Sequence, residues 1–133
     1  MNTRILHCGE LLENYYLCIE KKVAGFTSLS PVAGDLVYLA VKVDGISYIG
    51  ARGVIGAATK ERPWRNAQNY KHSFVLEHIE FCKPFKIQPL SAFGGTYWAA
   101  KYLQASKAIK DLPAVDFLEK EFTTRKTSEL QRF

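Results

Sequence analysis

The sequence predicts an α+β fold, in which a curved antiparallel sheet forms a β pseudo-barrel flanked by helices. Three observations lead to this prediction: two long apolar runs meet at Asp44-Gly45, glycines recur through the second run, and helical periodicity appears on both sides of this centre. Asp-Gly between strands is typical of a type I′ turn, because both central residues need a positive φ. Glycines inside a strand allow it to bend. With 133 residues the chain is predicted to be one domain.

The first predicted elements are a short strand and an amphipathic helix. The apolar run from Thr3 to Cys8 indicates an opening strand. Leucine, tyrosine and isoleucine then recur at helical spacing, which predicts a helix from about Glu10 to Lys22 that ends at Gly25. The following residues, up to Asp35, are rich in serine, proline and glycine and are predicted to be a loop.

The hairpin from Gly34 to Ala58 is the centre of the predicted sheet, and its two-residue turn sets the register. One face is predicted to carry the pairs Val43 with Ile46, Val41 with Tyr48, Leu39 with Gly50, and Val37 with Arg52. The other face is predicted to carry Lys42 with Ser47, Ala40 with Ile49, Tyr38 with Ala51, and Leu36 with Gly53. Both faces are largely apolar, so we expect other parts of the chain to cover both.

A polar loop and another strand follow the hairpin. The loop is TKERPWRNAQNY, and the strand is predicted from His72 to Phe81. Strict alternation would place Phe74, Leu76, His78 and Glu80 on one face of that strand. Prolines 84 and 89 predict that the next segment is only a short edge strand.

Helices are predicted to complete the chain. Gly94-Gly95 indicates a turn, and Thr96 is a suitable N-cap for a helix over residues 97–111. Pro113 is predicted to begin a last helix that reaches Phe122 and docks its apolar side on the barrel. Residues 123–133 are predicted to be a flexible tail.

No motif in the sequence predicts catalysis, a metal or a cofactor. His78 and Glu80 on one strand face could support proton transfer, but a solvated face explains the pattern more simply, and no catalytic residue is predicted. The three cysteines are odd in number and lack CxxC spacing, which favours reduced thiols in a cytoplasmic protein. The histidines form no recognisable metal spacing with them.

A membrane partner is not expected. No apolar run approaches the roughly 20 residues of a transmembrane helix, and the first residues lack the order of a signal peptide.

A cluster of cations around Trp64 is the strongest sign of a binding function. The net charge of +5 is compatible with a polyanionic partner, and a local excess of cations is formed by Lys60, Arg62, Arg65 and Lys71. Trp64 lies between two of these arginines, a pattern typical of nucleic-acid sites, where cations meet phosphates and a ring stacks on a base. The alternative is that Pro63-Trp64 closes the end of the barrel while the charges are solvated.

Arg52 and a second aromatic cluster are further candidates. Arg52 is a cation among apolar neighbours, so it needs a ligand or a carboxylate, and Asp35 and Glu77 are candidate partners. The second cluster consists of Phe93, Tyr97 and Trp98 at a loop–helix junction. Core packing of Trp98 is the alternative there.

The run SPVAGDLVYLAVKVDGISYIGARGVIGAATKERPW resembles the core of the EVE domain and its relatives in the PUA-like superfamily. In that group Pro-x-x-Gly-Asp precedes a strand, and a glycine-rich strand, a loop and an aromatic-aliphatic strand follow, here FVLEHIEF. The opening strand TRILHC differs, because EVE domains usually carry a tryptophan there. The similarity extends from Ser30 to Pro89.

The resemblance implies that residues 1–133 form one PUA-like, EVE-like pseudo-barrel that binds RNA or DNA. It implies a modified or flipped base held in an aromatic pocket. By position, it implies a pocket wall from Arg52, the loop around Trp64 and the junction from Phe93 to Trp98. The complete set of predicted nucleic-acid-binding residues is Arg52, Lys60, Arg62, Trp64, Arg65, Lys71, Phe93, Tyr97 and Trp98.

Three hypotheses of function follow from the sequence. The first is a non-enzymatic nucleic-acid-binding module. The second is a protein-interaction or homodimerisation module in which the basic loop is only surface. The third is a small hydrolase of a nucleoside-like substrate, as in ASCH relatives of the superfamily, which would need a lysine or glutamate converging in the pocket.

Overall fold

A curled six-stranded sheet with surrounding helices forms a mixed α+β fold in the computed structural model, which describes residues 1–133. The strands are β1 (Thr3–His7), β2 (Val23–Phe26), β3 (Leu36–Val43), β4 (Ile46–Thr59), β5 (His72–Lys86) and β6 (Lys126–Thr127). The helices are α1 (Leu12–Lys21), α2 (Ser91–Gly94), α3 (Trp98–Leu103) and α4 (Leu112–Thr124). The strand order is β1-β3-β4-β5-β2, with β6 also paired to β5. Only β1 and β3 run parallel.

The hairpin turn is confirmed, but its register changes halfway along. Asp44 and Gly45 have φ values of 51° and 80°, as a type I′ turn requires. The predicted pairs hold from Val43–Ile46 to Ala40–Ile49. Beyond them a β-bulge at Gly50 shifts the register, so the last four predicted pairs are wrong by one residue.

Two consequences follow from the bulge at Gly50. Arg52 pairs with Tyr38 rather than with Val37, and it therefore lies on the opposite face from the predicted one. A side chain at Gly50 would stand 2.6 Å from the Tyr15 hydroxyl oxygen, so glycine is needed for the close approach of α1.

A second irregularity changes the face of β5. His78 has a φ of 50°, and the pairing between β4 and β5 shifts around it. The predicted strict alternation is wrong, because Leu76 packs inside the sheet whereas Glu80 bonds Arg52 on the outside. The separate short edge strand predicted for the segment with Pro84 and Pro89 is also wrong, since β5 continues without a break to Lys86.

Two hydrophobic cores cover the two faces of the hairpin, as predicted. The inner core lies between the curled sheet and α1, and includes Tyr15, Phe26, Leu39, Ile55 and Trp64. The outer core lies beneath α3 and α4, and includes Tyr38, Ile49, Phe85, Tyr102 and Phe122. Helix α4 confirms the helix predicted after Pro113, with Leu118 and Phe122 fully buried.

Three segments differ from the expectation. Helix α1 ends at Lys21, because the next residue, Lys22, has a φ of 54°, and Gly25 belongs to β2 and does not end the helix. Helix α3 stops at Leu103 because Ala105 and Ser106 adopt positive φ. Residues of the predicted flexible tail form β6, and the Phe133 ring lies 5.9 Å from that of Tyr15.

None of the helices is both long and apolar enough to cross a membrane.

Candidate functional site

A pocket of about 530 Å³ opens beside the hairpin turn and is called the hairpin pocket below. Its polar lining consists of His7, Lys42, Ser47, Lys86 and Gln88, and its aromatic lining is Trp98. Ile46 and Leu103 add apolar surface. The volume lies within the roughly 300–1,000 Å³ usual for small-molecule sites, and a few converging polar groups among apolar ones are typical of them.

These side chains are brought together from five elements: β1, β3, β4, β5 and α3. Lys42 and Ser47 are cross-strand partners next to the Asp44-Gly45 turn. The Ile87 N–H donates to the Ser47 carbonyl oxygen at 3.2 Å, which holds Gln88 beside the same strand end. The Lys42 N–H donates to the Gly9 carbonyl oxygen at 2.7 Å, which holds the end of β1 there. Trp98 is the first residue of α3 and closes the other side.

The hydrogen bonds of His7 fix its tautomer. The Gly9 backbone N–H donates to Nδ1 at 2.9 Å, so Nδ1 carries no hydrogen in the neutral ring. Nε2 therefore carries the hydrogen and donates to Ser47 Oγ at 2.9 Å. Burial, with a smaller contribution from the charge of Lys42, lowers the pKa of His7 below its ordinary 6.5. Since Ser47 Oγ only accepts from His7, its own hydrogen is free to face a ligand.

The charge of the hairpin pocket is positive. Lys42 and Lys86 both line it, neither forms an ion pair, and no carboxylate belongs to the lining. Two uncompensated ammonium groups near an aromatic ring favour a planar ligand that carries negative charge.

Trp64 closes the end of the inner core. It is only 4 % exposed, and its ring lies 2.7 Å from the position that a Cβ on Gly25 would take. The Tyr70 ring packs against it at 5.2 Å, and the cavity beside them is about 10 Å³. In this arrangement the Trp64 ring has no open face for a base, which corresponds to the alternative interpretation in which it closes the barrel.

The cations of the Trp64 loop point outward. Lys60, Arg62, Arg65 and Lys71 are all exposed. Arg65 Nε lies 3.6 Å from Glu13 Oε2, and the other three have no ion pair. These side chains are available to phosphates.

Arg52 is engaged by carboxylates within the protein. Its Nε donates to Glu80 Oε1 at 3.0 Å, and its Nη1 donates to Glu119 Oε2 at 2.7 Å. The guanidinium also lies 4.3 Å from the centre of the Phe122 ring. The predicted partners Asp35 and Glu77 are wrong. Asp35 forms an ion pair with Arg4 at 2.8 Å, and Glu77 is the cross-strand partner of Val54, because the register of β5 shifts between Glu80 and Glu77. Arg52 thus fastens α4 to the sheet.

The second aromatic cluster is divided. The Phe93 ring packs 6.0 Å from that of Phe117, and Tyr97 is 79 % exposed. Of the nine residues predicted to bind nucleic acid, only Trp98 lines the hairpin pocket.

Sequence reasoning missed five polar residues of the pocket: His7, Lys42, Ser47, Lys86 and Gln88. The one available signal was the predicted pairing of Lys42 with Ser47, which placed a cation and a hydroxyl together beside the turn.

Comparisons with known proteins do not identify a family for this chain. Neither a scan against models of known protein families nor a search of curated proteins finds a match to this chain. The fold and the site therefore define the class: a mixed α+β domain with a cationic, tryptophan-lined pocket at one end of its curled sheet.

Proposed function

We propose that this protein is a non-enzymatic, PUA-like nucleic-acid-binding module that holds a flipped base in the hairpin pocket. The observation that carries the proposal is the lining of that pocket, where Trp98 stands with two unpaired lysines and with Ser47 and Gln88. A ring that stacks on a base, cations that meet phosphate and polar groups that meet a base edge are the parts such a site needs.

The Trp64 loop supports the proposal by adding positive charge. His7 lines the hairpin pocket and also the small cavity beside Trp64, so the pocket and the loop lie on either side of the end of β1. A strand with its base in the pocket would have its neighbouring phosphates attracted by the exposed loop cations. The resemblance to EVE domains supports the same function.

The lining favours binding over hydrolysis. A small hydrolase would need a base to activate water, and a carboxylate is the residue type that commonly supplies it. The two lysines of the hairpin pocket meet the lysine requirement of the hydrolase hypothesis, but the pocket has no carboxylate, and its only histidine is neutral with both ring nitrogens engaged.

A titration with short fluorescent RNA and DNA oligonucleotides tests the proposal. We expect binding at low salt that weakens steeply as salt is added, because each neutralised phosphate releases counterions. Lys86→Glu is expected to weaken binding and to reduce the salt slope by about one or more. The matched control is Lys120→Glu, which makes the same charge change on the exposed side of α4.

Two results would contradict the proposal. One is the absence of binding to any single-stranded or double-stranded oligonucleotide at low salt. The other is an equal loss of affinity in both lysine variants, which would mean that only the total charge matters. A stable homodimer in light scattering, combined with no binding, would favour the interaction module instead.

A further inference from the structure

We infer that the hairpin pocket selects uracil or thymine over cytosine and adenine, an inference that rests on the proposed function. The free hydrogen-bonding groups of the pocket are mostly donors, with a single side-chain acceptor beside them. Uracil and thymine present the complementary edge, in which two carbonyl oxygens flank one N–H.

The first free donor is the hydroxyl of Ser47. Since the Gly9 N–H occupies Nδ1 of His7, the imidazole must donate through Nε2, and Ser47 Oγ must accept. This leaves the Ser47 hydrogen for a ligand. His7 is thus a positioning residue that occupies one lone pair of the hydroxyl oxygen and leaves the hydroxyl hydrogen to be donated to a ligand.

The acceptor is the amide oxygen of Gln88. Its Nε2 donates to Ser91 Oγ at 3.2 Å, which orients the amide and leaves Oε1 unengaged. The Ile87 N–H bond to Ser47 holds this acceptor close to the Ser47 donor. A base N–H next to a carbonyl can therefore meet both side chains at once.

The second donor is the ammonium group of Lys42. Lys42 is the cross-strand partner of Ser47 and is half-buried, so it lies on the same end of the sheet as the other two groups. Together the three residues offer two donors and one acceptor. Lys86 is more exposed and is left for the phosphate.

Cytosine and adenine match this set less well. Cytosine and adenine each replace a carbonyl by an amino group, which is a donor. An amino group that faces Lys42 or Ser47 leaves one donor of the pocket without a partner, and sites built to hydrogen-bond a ligand reject such analogues.

Equal-length oligo(dT), oligo(dC) and oligo(dA) in the fluorescence titration test the inference. We expect oligo(dT) to bind about tenfold more tightly than oligo(dC), the ratio that one hydrogen bond of ordinary strength provides. Oligo(dC) is the sharper comparison, because both are pyrimidines of the same size and backbone. Binding of all three with equal affinity overturns the base selection while leaving the proposed function standing, and binding of none contradicts the proposed function itself.

Variants of the two discriminating side chains separate selection from general affinity. Gln88→Met removes the acceptor on an exposed residue, and Gln88→Glu retains it. Ser47→Ala removes the donor, and Ser47→Thr retains it. We expect the preference for oligo(dT) to disappear in the first variant of each pair and to persist in the second, with exposed Ser128→Ala as the neutral control. An unchanged preference in both Gln88→Met and Ser47→Ala would overturn the inference.

Discussion

Arg4 joins β1 to two segments that are distant in the sequence, the loop before β3 and the residues that follow α3. Its Nε bonds Asp35 Oδ2 at 2.8 Å, its Nη1 bonds the Ser106 carbonyl oxygen at 3.0 Å, and its Nη2 bonds the Ser30 carbonyl oxygen at 2.9 Å. Both side chains of the ion pair are only 3 % exposed. Burial alone would raise the pKa of Asp35, but the bonds from Arg4 and from backbone N–H groups outweigh it and lower the pKa.

Removing one partner of this buried pair is expected to be costly. Arg4→Ala leaves the Asp35 carboxylate buried without its cation, so we expect a loss of about 3–5 kcal/mol in the free energy of unfolding. The matched control is Arg65→Ala, which breaks a pair between two exposed side chains and should cost no more than about 1 kcal/mol. Urea unfolding measures both, and equal losses would contradict the structural role of Arg4.

Single residues were predictable where local chemistry decided their conformation. Asp44-Gly45 forms its turn because two adjacent residues must both take positive φ. The partner of Arg52 was not predictable, because it depends on bulges that move Glu80 to the outer face and on a helix 67 residues further along the chain. The polar pocket residues were missed for the same reason. Each has the character of an ordinary surface residue in the sequence, and only the tertiary fold brings them together in one pocket.

At the scale of elements, the loop between β4 and β5 is anchored by one side chain. The loop is polar and its cations are exposed, but Trp64 is buried among Gly25, Tyr70 and the rest of the inner core. Asn66 supports it by accepting a hydrogen bond from Asn14 Nδ2 at 3.0 Å. The loop therefore has a fixed attachment to α1 and β2.

Trp64→Ala is expected to reduce stability more than Trp98→Ala. Trp64→Ala empties a buried site and should lower the free energy of unfolding by about 3–5 kcal/mol. Trp98→Ala should lower it by less, because Trp98 is only half-buried at a wall of the pocket. In the binding titration the order should reverse, with Trp98→Ala losing more affinity under conditions where both variants are folded. If Trp64→Ala kept its stability but lost its affinity, the result would support the hypothesis that Trp64 stacks directly on a base.

The elements themselves were predictable in proportion to their length and periodicity. Helices α1 and α4 have clear apolar stripes, and the predicted bounds of both are close to the observed ones. Strand β2 has four residues with Gly25 inside it, and it exists because it pairs with β5. The long helix predicted from residue 97 ends early because Ala105 and Ser106 leave the helical region, which leaves Ser106 placed to meet Arg4.

At the scale of the whole molecule, acid is expected to destabilise the fold in two stages. The pKa of His7 is lowered by burial, so the unfolded chain binds a proton more readily than the folded one. Stability is then present above the ordinary histidine pKa of 6.5 and falls as the pH drops below it. Asp35, Glu80 and Asp111 also have lowered pKa values, but they act only below about pH 4.5, where unfolded carboxylates take up protons.

His7→Gln is expected to reduce the loss of stability in the first stage of acidification. Glutamine keeps a donor for Ser47 but does not titrate, so the free energy of unfolding should change less between pH 7 and pH 5 than in the natural chain. The same substitution at exposed His78 serves as the control. Urea unfolding across this range decides the point: an unchanged pH dependence in His7→Gln would assign the first stage to another group.

The burial of both faces of the sheet has a consequence for folding cooperativity. Because side chains alternate between the two faces along β4 and β5, both strands supply side chains to the inner core and to the outer core. We expect neither core to melt while the other keeps its strands, since the same backbone ladder runs through both. We therefore expect the molecule to unfold as one unit, with the lowest-energy openings that expose amides to exchange confined to its loops and chain ends.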